Sequence, residues 1–117
     1  MRYMMFVATD PAAEPYDPAA DNAEEWVEKH TASGKRLLGD RLRPVQDATT
    51  VRRRDDRVLV THGPFAETRE WIAGFDILDC ADLDEAIAIA GEHPMARFGR
   101  LELRPFWQGE DSGAPTG

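Results

Sequence analysis

The segment Arg2 to Thr9, RYMMFVAT, is a run of strand formers stopped by Asp10-Pro11, and it is apolar on both faces. As a strand it turns Met4, Phe6 and Ala8 to one side and Tyr3, Met5 and Val7 to the other. Trp71 to Asp79 has the same property, with Trp71, Ala73, Phe75 and Ile77 on one face and Ile72, Gly74 and Leu78 on the other. Strands of this kind restrict the chain to folds in which a sheet is covered on both sides.

Only two segments read as helices that can supply such cover. Asp21 followed by Glu24 has capping-box spacing, and Ala23, Trp26, Val27 and His30 fall on one helical stripe that Gly34 is placed to end. Asp82 and Glu85 repeat the spacing ahead of Leu83, Ala86, Ile87 and Ala90. Pro11, Pro15 and Pro18 make Asp10 to Asp21 a loop, and a strand is expected over Arg36 to Arg43, ending at Pro44. Thr49 to Arg54 and Arg57 to His62, separated by Asp55-Asp56, read as a hairpin, and a last strand spans about Arg100 to Arg104.

The order strand, helix, strand, hairpin, strand, helix, strand is that of an α+β fold, a ferredoxin-like split βαβ sandwich with an inserted hairpin. Both helices then lie on one face of the sheet. A chain of 117 residues has no spare helix for the other face, so a second subunit is the simplest cover and a homodimer is expected. Residues 1–107 form the domain, and the Gly/Ser/Pro/acid tail over 108–117 is expected to be disordered.

Charge and composition exclude several functions. With 14 basic against 22 acidic residues and a net charge of -8, the chain as a whole repels polyanions, which argues against nucleic-acid binding. One cysteine, Cys80, allows no intrachain disulfide and suits a reducing compartment. No apolar run approaches the roughly 20 residues of a membrane span, and the N-terminus turns polar too soon for a signal peptide, so a soluble cytoplasmic protein without membrane contact is expected. No Gly-rich phosphate loop suggests a cofactor. His30, His62 and His93 stand too far apart in sequence to suggest a metal site.

The run Thr49-Thr50-Val51-Arg52, the segment from Val58 through Gly63-Pro64-Phe65-Ala66-Glu67-Thr68 to Glu70, and Gly74-Phe75 resemble the YCII-related family in its DGPF-domain branch. Asp82-Leu83-Asp84-Glu85-Ala86, His93-Pro94 and Glu102-Leu103-Arg104-Pro105 continue the likeness in the same order, up to about Trp107. The resemblance implies a dimeric α+β barrel of the ferredoxin-like type. It implies little about chemistry: a His/Asp pair is the proposed active site of the wider family, some relatives act on small cyclic or aromatic compounds, and some members of the branch are associated with genes for alternative sigma factors. The chain departs from the pattern twice. His62 stands where the branch has the Asp of Asp-Gly-Pro-Phe, and the region of the family histidine falls near Ala23, so that pair does not carry over.

Among candidate residues, His62 closes a strand before a Gly-Pro turn, where an imidazole can act as general base with Glu67 as orienter or partner acid. The competing role is that of a turn residue in place of an aspartate. Asp40 lies on a strand bordering the same expected cleft and can fix a histidine tautomer; Arg43 lies beside it. His30 shares its helix stripe with Trp26, Phe65 lies in the signature loop, where Glu67 and Arg69 flank Thr68 and can both meet a ligand, and Trp71 with Phe75 leaves a gap over Ala73 that a planar ligand can enter. His93-Pro94 reads first as a helix stop. The reading that follows is a protein binding a small organic compound, with cofactor-independent acid-base catalysis of an isomerase or lyase type on His62, Glu67 and Asp40. The alternative is a non-catalytic ligand-binding or regulatory module, linked to a sigma factor.

Overall fold

The computed structural model describes residues 1–63 and 71–107. The chain order is β1 (Arg2–Ala8), α1 (Ala23–Ala32), β2 (Arg36–Arg41), β3 (Thr49–Arg54), β4 (Arg57–His62), β5 (Ile72–Asp79), α2 (Leu83–Gly91), α3 (Met95–Phe98) and β6 (Arg100–Pro105). Four strands form one antiparallel sheet in the order β2-β5-β1-β6, while among the described residues β3 and β4 pair only with each other. This mixed α+β arrangement is compatible with a ferredoxin-like sandwich carrying an inserted hairpin. The signature loop from Pro64 to Glu70 and the tail from Gln108 lie outside the described residues.

The period-two pattern of β1 decides where the core sits. Tyr3, Met5 and Val7 are buried, and Leu78 of β5 lies opposite Tyr3 on the same face. Trp26 from α1 and Ala86, Ile89 and Ala90 from α2 close over them to form the core. Trp26 also ties the two helices together, since its buried indole N–H donates to the Ile89 carbonyl at 2.8 Å. On the other face Met4, Phe6, Phe75 and Ile77 are only half-buried, Leu38 opposite Ile77 is exposed, and no helix of the described residues covers them.

Local chemistry explains most boundaries and corrects some expectations. Gly34 adopts a left-handed φ of +78° after α1, the role anticipated for it. The capping box expected at α1 does not form: Asn22 is the N-cap, and Asp21 instead accepts from Ala23 N at 2.9 Å and from the Tyr16 hydroxyl. At α2 Asp82 does accept from Glu85 N, but the Glu85 carboxylate reaches back to Ala81 N rather than to the cap residue. β2 ends at Arg41, before the expected Arg43, with Leu42 N still donating to the Ala73 carbonyl at 2.8 Å just past the ladder. His93-Pro94 does not merely stop α2: Pro94, with its fixed φ of -59°, starts the extra turn α3.

The hairpin turn is made by Asp55 and Asp56, both at positive φ, as a two-residue connection of strands requires. Val51, Val58 and Val60 lie on one side of this two-stranded ribbon and are more than half exposed. An isolated hairpin is marginal in water.

Gly39 on β2 faces Asp76 on β5, and a β-carbon there would collide with the Asp76 carboxylate and stand 2.5 Å from the Phe75 carbonyl oxygen. Gly39→Ala is therefore expected to lower stability by about 1–3 kcal/mol, read as a reduced urea midpoint at unchanged m-value.

Candidate functional site

Two glycines open the site. Gly39 and Gly74 lie on adjacent strands, on the face that carries the core, where neither supplies a side chain to fill the space beneath the start of α1. The result is a cavity of about 690 Å³, bounded by the Tyr16 to Ala23 segment on one side and by the His93 to Phe98 turn on another. That size suits a small organic molecule.

Asp76 stands in the wall of this cavity and is 6% exposed. Arg36 holds it: Nε donates to Asp76 Oδ1 at 2.7 Å, while the other guanidinium nitrogens reach Thr31 Oγ1 and the Gly39 carbonyl. Burial pushes the Asp76 carboxyl above its ordinary value, and the Arg36 hydrogen bond and charge offset that only in part. Asp76 Oδ2 has no hydrogen-bond partner among the described residues, yet it is not among the atoms sealed from the cavity. A desolvated carboxylate with one oxygen anchored and one open can accept a proton or a hydrogen bond from a guest.

His93 forms part of the wall, 9% exposed and edge-on to the Trp26 ring at 4.8 Å. Its Nδ1 accepts from Met95 N at 3.0 Å, so the neutral ring carries its hydrogen on Nε2. Burial lowers its pKa to about 4, against a smaller opposing influence from Asp21, and the ring is uncharged at neutral pH. Asp21 and Tyr16 are hydrogen-bonded at the cavity margin; that bond lowers the Asp21 pKa and raises that of Tyr16.

The residues expected from sequence are dispersed. His62 ends β4 on the exposed ribbon, opposite Thr49, with no carboxylate of the described residues in ion-pair reach, and it does not line the cavity. Glu67, Phe65 and Arg69 lie outside the described residues. Asp40 reaches the cavity rim, but its register opposite Phe75 turns it to the face away from Asp76, and its carboxylate accepts from Arg41 N. His30 is buried against Trp26, its Nε2 is 3.4 Å from Glu92 Oε1 without hydrogen-bond alignment, and it stands apart from the cavity. Arg43 is exposed and paired with Asp47; Trp71 is half-buried before β5 and held by hydrogen bonds with Thr9.

Asp76, Arg36 and His93 were missed or underrated as site residues. The available signal was an acid at position 76 on a face otherwise given to Gly74 and Leu78. Among the described residues no three His, Cys, Asp or Glu side chains gather as a metal site, and no helix is long and apolar enough to cross a membrane.

A model of the YCII-related domain matches residues 1–108. The chain belongs to the YCII-related domain family. An uncharacterised protein of Rhizobium meliloti is 40% identical to it over 80 residues, 67% of this chain. The chain covers 64% of that protein's length. In this YCII-related domain Asp76, Arg36 and His93 stand in the cavity wall.

His93 also gives the domain a measurable pH response. A histidine whose folded pKa is depressed from 6.5 to about 4 is protonated more readily in the unfolded chain, so its contribution to stability is present above that window and lost as pH falls through it. The loss approaches about 3 kcal/mol. Chemical denaturation at a series of pH values should show wild type losing more stability than His93→Gln between pH 6.5 and 4; the comparison subtracts the neighbouring carboxylates, which titrate in both proteins.

Proposed function

We propose that this protein binds a small organic compound in the cavity between the sheet and α1, and that Asp76 and His93 perform cofactor-independent acid-base chemistry on it. The supporting observation is the Asp76 carboxylate, buried and with its pKa raised, with one oxygen fixed by Arg36 and the other open to a cavity of about 690 Å³. In this reading Asp76 accepts a proton from the bound compound. The Nε2–H of neutral His93 donates to the oxygen on which charge develops, a donor that need not be reorganised during reaction. Arg36 is a positioning residue that keeps Asp76 in place without occupying both its oxygens.

The site sits within a homodimer in our reading, a dimeric α+β barrel in which the uncovered sheet faces pack together. Half-buried Met4, Phe6, Phe75 and Ile77 with exposed Leu38 support it, since two sheets stacked about 10 Å apart bury such residues. Gly63-Pro64-Phe65 supports placement in the DGPF branch, with His62 in place of its aspartate.

A fragment library examined by amide-shift NMR should yield ligands that move the signals of Gly39, Gly74 and His93; shifts confined to other surfaces would refute the cavity as the site. Deuterium from solvent should enter acidic C–H positions of a bound fragment, about 100-fold more slowly with Asp76→Asn. Binding without exchange would leave a non-catalytic binding module. Sedimentation should give twice the 13.1 kDa chain mass at micromolar concentration, shifted towards monomer by Leu38→Lys.

A further inference from the structure

The register of β2 against β5 places Arg41 on the same face as Gly39 and two residues further along, opposite Gly74. Positions so spaced are about 7 Å apart along the strand, so the guanidinium borders the same cavity that Asp76 opens into. Among the described residues Arg41 has no salt bridge. Its charge lowers the Asp21 pKa, but both Asp21 oxygens are committed, one to Ala23 N and the other to the Tyr16 hydroxyl. The Asp40 carboxylate takes only the Arg41 backbone N–H and belongs to the opposite face.

The cavity therefore presents three unsatisfied demands: an acceptor at Asp76 Oδ2, a neutral donor at His93 Nε2, and a cation at Arg41. We infer that the ligand is a small carboxylic acid bearing a hydroxyl or amine a few carbon atoms away, its carboxylate meeting Arg41 and its donor meeting Asp76. A guanidinium matches a carboxylate with two parallel N–H donors, which no alcohol or simple amine can use. The site thereby rejects monofunctional molecules, since each leaves either a charge or a buried carboxylate oxygen without a partner. This deepens the ligand-binding reading above and rests on it.

The test uses four probes of one carbon skeleton: γ-hydroxybutyrate, γ-aminobutyrate, butyrate and n-butanol, titrated into the full chain and followed by amide shifts. The two bifunctional acids should bind about tenfold more tightly than either monofunctional probe. Arg41→Gln, at an exposed strand end, should leave the thermal midpoint and the n-butanol affinity unchanged while removing the advantage of the acids. Equal affinity for all four probes, or an advantage that survives Arg41→Gln, overturns the inference and leaves the cavity as a ligand site. Failure of all four overturns it as well, and the fragment library then shows whether the cavity takes any guest.

Discussion

Two helices can cover only one face of a four-stranded sheet, and the rest of this molecule follows from where they sit. α1 and α2 lie over Tyr3, Met5, Val7 and Leu78, and the buried Trp26 hydrogen bond to Ile89 holds the pair in register. Cover is complete over the middle of the sheet and fails in two places. It fails beneath the start of α1, where Gly39 and Gly74 leave a cavity, and among the described residues no helix lies over Met4, Phe6, Phe75 and Ile77 on the far side. The first gap is walled mainly by apolar side chains, with the polar groups of Asp76, Arg36, Arg41 and His93 set among them. The second is apolar, and the proposed dimer rests on it.

Inside the cavity the energetics run against stability. A carboxylate at 6% exposure is costly to bury, and its raised pKa shows that Arg36 does not fully offset the lost hydration. A neutral histidine at the same cavity adds a group that must stay uncharged for the fold to keep its full stability. Packing alone would favour an apolar residue at position 76. An acid held there by one oxygen, beside a glycine that makes room for it, breaks the packing rule of the surrounding face, and the proposed ligand site rests on that departure.

Much of the architecture was legible because its signals are local. Alternation in Arg2 to Thr9 specified a strand with two apolar faces, the Asp82 cap and the stripe through Ala86 and Ala90 specified α2, and Asp55-Asp56 specified a turn. Boundaries slipped where a competing partner intervened, as at Asp21, whose carboxylate serves Tyr16 and Ala23 instead of a capping box. The site was hardly legible. Of the histidines that the sequence singles out, His62 stands on an exposed ribbon and His30 is buried on α1 against Trp26.

By itself the sequence determined the type and order of the strands and of the two longer helices, and the apolar character of both faces of β1 and β5, because these depend on periodicity and turn chemistry within a few residues. Tertiary structure alone decided the site. Arg36, Gly39 and Asp76 are separated by up to 40 residues, and His93 lies further still along the chain. Only the antiparallel register of β2 on β5, and the extra turn begun by Pro94, bring these groups to one cavity. Whether a polar side chain is an ordinary surface group or a desolvated reactive one depends on that convergence, since burial and neighbouring charge set its proton affinity.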